Sequence, residues 1–93
     1  MRLTGQNGGV NSTSVELYWR PGCGFCARLV RDLDRAGIEF VAHNIWDDPA
    51  AAARVRAVAR GNETVPTVFV GDWVGVNPSG HQVAAALASA GRA

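Results

Sequence analysis

Apolar residues along this chain change their spacing several times, and each change marks an element. Val15-Glu16-Leu17-Tyr18-Trp19 is a short β-rich run with apolar residues on both faces, the pattern of a strand covered on both sides. From Gly24 the spacing becomes helical: Cys26, Leu29, Val30, Leu33 and Ala36 recur on one side, Arg28, Arg31, Asp32 and Arg35 on the other, and Gly37 is placed to end the helix. Residues 38–45, IEFVAHNI, read as a second strand. Asp48 then stands as N-cap and Pro49 as first residue of an alanine-rich helix ending at Gly61, with Val55, Val58 and Ala59 facing inward. Residues 64–76, TVPTVFVGDWVGV, predict two strands joined by Gly71-Asp72, a two-residue connection that makes the pair antiparallel. Asn77-Pro78 supplies another cap and proline, and Val83, Ala84, Leu87 and Ala88 form the expected buried stripe of a last helix ending near Gly91. The predicted order is β-α-β-α-β-β-α, an α/β chain.

Residues 1–14 lack this periodicity and are rich in Gly, Asn, Ser and Thr, so a flexible leader is expected there, followed by one domain over 15–93. A length of 93 residues with 47% hydrophobic content suits a single small core. The nine basic residues are all arginines, and with eight acids scattered among them the net charge is +1. That leaves no basic stripe for a nucleic acid. No run of about 18 apolar residues exists to span a bilayer, and no apolar targeting stretch opens the chain. A soluble, cytoplasmic monomer with no membrane partner is expected. In that reducing compartment a Cys-x-x-Cys pair points to metal binding or redox chemistry, not to a structural disulfide.

The pair in question lies in Arg20-Pro21-Gly22-Cys23-Gly24-Phe25-Cys26, which holds both cysteines of the chain. A structural zinc site takes four Cys or His ligands, and only His43 and His81, at unrelated points, are available to join them. His43 is expected at a solvent-facing or half-buried strand position and His81 in the exposed first turn of the last helix; no metal is expected. A thiol pair between a strand end and a helix start has a direct use, because unpaired amides and the positive end of the helix dipole favour a thiolate at the first cysteine. A sulfur so stabilised also leaves a mixed disulfide readily. Cys23 is therefore the expected attacking sulfur, and Cys26, one turn further in on the apolar side, a resolving one. Arg20 either adds positive charge near the sulfur or meets a substrate carboxylate, unless it is a solvated arginine at a strand end. Phe25, between the cysteines, shapes access to Cys23 or is merely part-buried. Trp19, Trp46 and Trp73 are read as core and rim.

With WRPGCGFC opening the first helix and TVPTVFV opening a strand some forty residues later, the chain over about 15–90 resembles the glutaredoxin family and, within it, the mycoredoxins. The resemblance implies a thioredoxin fold, a four-stranded mixed sheet in the order 2-1-3-4 flanked by three helices. It also implies a cis Val65-Pro66 bond, Pro66 packed beside the reactive sulfur, and Thr64 and Val65 as positions that pair with the substrate thiol compound. Typical glutaredoxins carry a Gly-Gly-x-Asp turn before the last helix that holds the glutathione carboxylate; here Val76-Asn77-Pro78-Ser79-Gly80 stands in that place. The Asn77-Pro78-Ser79 turn is similar to that of mycoredoxins, which act on mycothiol, a sugar-based thiol. Glu63, before Thr64, adds a carboxylate that would repel the acidic groups of glutathione and tolerate a sugar.

The resemblance thus implies an enzyme that reduces protein–mycothiol mixed disulfides through Cys23. It would have no bound cofactor, mycothiol as co-substrate, an NADPH-dependent mycothiol reductase behind it, and thiolated or disulfide-bonded proteins as partners. Two alternatives stay open: a dithiol redoxin regenerated by thioredoxin reductase through Cys26, and a carrier of a [2Fe–2S] cluster held by the first cysteine of two subunits and two thiol cofactors.

Overall fold

The computed structural model describes residues 13–90, so the expected leader falls outside the described residues except for Thr13 and Ser14, as does the stop at Gly91. In chain order the elements are β1 (Val15–Trp19), α1 (Gly24–Arg35), β2 (Val41–Asn44), α2 (Pro49–Val58), β3 (Thr67–Val70), β4 (Trp73–Val76) and α3 (Gly80–Ala90). The strands form one four-stranded sheet in the order β2-β1-β3-β4. β1 and β2 run parallel, and β3 is antiparallel to β1 and to β4. The element order and the antiparallel β3–β4 pair are those expected from the pattern, and the sheet order is the one the resemblance implies.

Alternation along β1 and β3 sends their side chains into two cores. Val15, Leu17, Val68 and Val70 pack against Leu29 and Leu33 of α1 and Val83 of α3. On the opposite face Tyr18 and Phe69 pack with Ile45 and with Ala51, Ala52, Val55 and Ala59 from α2 and its end. Leu17, Leu33, Val55, Val68, Val70 and Val83 are fully enclosed, and burying each such side chain contributes about 1.5–3 kcal/mol. α1 ends as expected: Gly37 takes the left-handed conformation (φ 71°), which lets the Ile38 N–H reach back to the Leu33 carbonyl at 2.9 Å.

Several expectations about helix faces and ends are corrected. In α2 the inward residues are Ala51, Ala52 and Val55, whereas Val58 is 37% exposed. The helix stops at Val58, and Arg60 and Gly61 both have positive φ. In α3, Val83 is buried and Ala86, Leu87 and Ala90 pack against the core, while Ala84 and Ala88 are exposed. Ala36 is the exposed C-cap of α1 and not part of its buried stripe. β2 is shorter than expected, Ile38 and Phe40 packing against the core before the strand pairs.

His43 is half-buried on the α2 face, stacked on Tyr18 with ring centroids 4.6 Å apart and Nε2 3.0 Å from Glu16 Oε1. Arg54 donates to the Tyr18 hydroxyl at 3.0 Å and lies 4.2 Å over the Phe69 ring. Burial pushes the Tyr18 hydroxyl up from its ordinary range, with Arg54 opposing. These groups satisfy one another. No helix among the described residues is long and apolar enough to cross a membrane.

Candidate active site

β1 and β2 are parallel, so both end at the same edge of the sheet, and the cysteine turn grows out of β1 there. Gly22 takes φ 75° to reverse the chain, and Cys23 follows in an extended conformation as the N-cap of α1. An N-cap side chain meets the unpaired amides of the first turn. Here that side chain is a thiol: Cys23 Sγ accepts from the Cys26 N–H at 3.3 Å. Cys26 is buried at 3% exposure. Burial pushes its thiol up to about 12, the Cys23 sulfur adding to the rise and Arg20 opposing it. One sulfur is thus presented at a helix start and the other is held protonated beneath it.

Val65-Pro66 is cis, and the Val65 carbonyl lies 3.8 Å from Cys23 Sγ. The Thr67 hydroxyl donates to the Thr64 carbonyl at 2.7 Å, closing the bend in which Val65 and the buried Pro66 sit. The Pro66 carbonyl accepts from the Asn77 N–H at 2.7 Å, with Asn77 at φ 54°. That bond ties the loop before α3 to the proline loop. A second support comes from Trp73, whose ring folds over Gly75: a Cβ there would lie 2.4 Å from the ring and 2.9 Å from Pro78. Glycine is therefore required under the tryptophan.

The N-cap of α3 is Ser79, not Asn77. The Gln82 N–H donates to Ser79 Oγ at 3.1 Å and the Ser79 N–H donates to Gln82 Oε1 at 2.9 Å, a reciprocal capping box. Asn77 instead bends the chain into the cap.

Two clefts flank the start of α1. One, of about 340 Å³, brings Phe25 together with Asn77, Pro78 and Ser79 and adds Arg28, Leu29, Asp32 and Gly80. The other, of about 460 Å³, joins Arg20, Cys23 and Cys26 to apolar walls from Trp19, Val30, Phe40 and Ala42. Arg20 lines this second cleft, its guanidinium donating to the Pro21 carbonyl at 3.1 Å and lying 5.8 Å from the centroid of Trp46. Phe25 and Trp46 are 64% and 63% exposed, so both rings are free to contact a substrate. His81 is exposed on α3, as expected. Glu63 is paired with Arg56 at 2.6 Å, which removes it as an unopposed carboxylate beside Thr64.

Arg28 and Asp32 escaped the sequence reading, which placed them on the outward face of α1. A signal was available. They follow Phe25 by three and seven positions, spacings that return to the same helix face as that residue. The apolar walls of the second cleft gave less notice, because Phe40 and Ala42 become neighbours of Cys26 only through the parallel pairing of β2 with β1.

A family model for glutaredoxin matches residues 15–74. A putative glutaredoxin of Mycobacterium tuberculosis is 36% identical over 77 residues, which is 82% of this chain and 92% of that protein. Among solved structures, a glutaredoxin of Archaeoglobus fulgidus shares the fold with a TM-score of 0.68 at 21% identity, over 81% of this chain and 86% of its own. NrdH-redoxin of Escherichia coli, described as a glutaredoxin-like protein with a thioredoxin-like activity profile, matches with a TM-score of 0.59 at 29% identity, over 67% of this chain and 79% of its own.

Proposed function

We propose, from the premise that the chain belongs to the glutaredoxin family of thiol-disulfide oxidoreductases, that it reduces mixed disulfides between proteins and mycothiol by a route that needs one cysteine. Cys23 attacks the mycothiol sulfur of the mixed disulfide. A Cys23–mycothiol bond forms, the protein–mycothiol bond breaks, and the protein leaves as a thiolate that takes a proton from water. A second mycothiol thiolate then attacks the adduct, releasing Cys23 and forming mycothiol disulfide. An NADPH-dependent reductase returns that disulfide to two thiols, so the electrons come from NADPH. Val65, with its carbonyl facing Cys23, and Thr64 flank the bound thiol compound, and Phe25, Asn77, Pro78 and Ser79 form the surface beyond it.

The observation that carries this reading is the closed cap of α3. A helix start offers unpaired amides to an anion, and in typical glutaredoxins the turn at this point holds the glutathione carboxylate. Here the Ser79 and Gln82 amides are each already bonded within the Ser79–Gln82 box. With the amides of Gly80 and His81 alone left open, a carboxylate finds two donors fewer there, whereas a neutral sugar headgroup loses nothing.

A second reading, a dithiol redoxin regenerated by thioredoxin reductase, is favoured by the likeness to NrdH-redoxin and by the bond from the Cys26 N–H to Cys23 Sγ, which sets the two cysteines side by side. The distinguishing experiment measures turnover by wild type and Cys26→Ser, driven either by mycothiol with its reductase or by thioredoxin reductase. Mycothiol-driven turnover that survives Cys26→Ser supports the first reading. Turnover driven only by thioredoxin reductase, and lost in Cys26→Ser, supports the second and overturns the first.

A further inference from the structure

The cleft beside α3 contains groups that the thiol chemistry does not use. Asp32 and Arg28 both line it, and neither side chain makes a hydrogen bond or ion pair within the described residues. A half-buried carboxylate and an exposed guanidinium one helical turn apart, both without a partner, leave this wall ready for an incoming ligand. The wall opposite carries Asn77 and the Ser79 hydroxyl, and Phe25 contributes an exposed aromatic ring near Cys23.

Approach of the two helices sets the cleft's depth. A Cβ at Gly80 would lie 3.0 Å from Asp32 Cβ, so the start of α3 sits against Asp32 because residue 80 has no side chain. The Asp32 side chain thereby stands beside the turn before α3.

This set of groups has a recognisable chemical preference. Vicinal hydroxyls donate in pairs to a carboxylate and accept from guanidinium and amide N–H groups, while the C–H face of a sugar ring packs against an aromatic ring. One positive and one negative group leave the wall without net charge, so a neutral polyol is accommodated better than a dianion. We propose that this cleft is a polyol subsite for the carbohydrate portion of the thiol co-substrate, with Asp32 its specificity-determining carboxylate, Arg28 its cationic partner and Phe25 its stacking surface. The inference rests on the reading that Cys23 carries a sugar-bearing thiol.

The test compares two mixed disulfides of one target protein, one carrying mycothiol and one carrying N-acetylcysteine, which lacks the sugar. Wild type, Asp32→Ala, Asp32→Asn and Phe25→Ala are assayed, with iodoacetamide alkylation of Cys23 as a check that the thiol site is intact. Asp32→Ala is expected to raise KM for the mycothiol substrate about tenfold, the size of one or two hydrogen bonds to a charged group. It leaves kcat, the N-acetylcysteine substrate and alkylation within about twofold. Asp32→Asn falls between, and Phe25→Ala costs about threefold to tenfold on the mycothiol substrate. If wild type prefers the mycothiol substrate and Asp32→Ala keeps that preference, the subsite is wrong while the mycothiol reading stands. If wild type treats the two substrates alike, the mycothiol reading itself fails and takes the subsite with it.

Discussion

Two helices begin at the active site, and they deal with their unpaired amides in opposite ways. α1 is capped by the sulfur of Cys23, a group that satisfies an amide and is also a nucleophile. α3 is capped by the Ser79–Gln82 box, which satisfies two amides and leaves neither for a ligand. The first helix start presents a thiol, and the second has two of its first-turn amides already occupied. On the proposed function the two properties reside in different places, the thiol chemistry in the cysteine turn and the choice of thiol compound in the turn before α3.

Making the two caps alike has the largest expected effect. Cys23→Ser turns the cap of α1 into a hydroxyl, which caps at least as well as a thiol. Turnover of any mixed disulfide is expected to fall by at least about a thousandfold, since a hydroxyl cannot form or leave a disulfide, while unfolding in urea shows stability unchanged within about 1 kcal/mol. A stable variant that keeps measurable turnover would show that Cys23 is not the attacking group.

The support beneath the second turn comes next in size. Gly75→Ala places a methyl group 2.4 Å from the Trp73 ring and 2.9 Å from Pro78, and overpacking of this kind costs about 1–3 kcal/mol. In a Trp73→Ala background, which has its own packing cost, Gly75→Ala is expected to cost less because the ring it strikes is gone. An equal cost in both backgrounds would mean that the tryptophan is not what residue 75 must avoid.

Opening the α3 cap has a smaller expected effect. Ser79→Gly with Gln82→Ala frees both amides, and is expected to lower stability by about 1 kcal/mol while raising kcat/KM on a glutathione mixed disulfide about threefold to fivefold. An unchanged glutathione rate would mean the closed box does not govern the choice of thiol.

The last effect concerns the buried sulfur and is absent at neutral pH. The Cys26 thiol is raised from an ordinary 9.0 to about 12, so between those values the native state keeps a proton that the unfolded chain has lost. The stabilisation is complete below about pH 9 and is lost as pH rises toward 12. Cys26→Ala is expected to flatten that decline in urea titrations across alkaline pH, leaving the part due to Tyr18, whose raised value acts in the same direction.

What could be read from the sequence follows from how much contrast each segment carries. The cysteine turn, the Gly71-Asp72 hairpin, the Asp48-Pro49 helix start and the Gly37 stop are each marked by residues with a specific backbone or hydrogen-bonding role, and all stand where expected. The alanine-rich helices carry no such contrast. Around Val55 the inward positions went to Ala51 and Ala52, and around Val83 and Leu87 to Ala86 and Ala90, because packing distance chooses among identical alanines. At the site, Cys23, Cys26 and the 64–66 loop were legible from their motifs. Arg28 and Asp32 were hidden by an ordinary rule, that charges on a helix lie on its solvent side, since only the approach of α3 turns that side into a cleft.

The most direct measurement is a competition in which wild-type protein is offered equal amounts of the mycothiol and glutathione mixed disulfides of one target protein and the ratio of kcat/KM is read. A reactive cap on α1 beside a closed cap on α3 predicts a preference for mycothiol of at least about tenfold, or about 1.4 kcal/mol. Equal turnover, or a preference for glutathione, would contradict it.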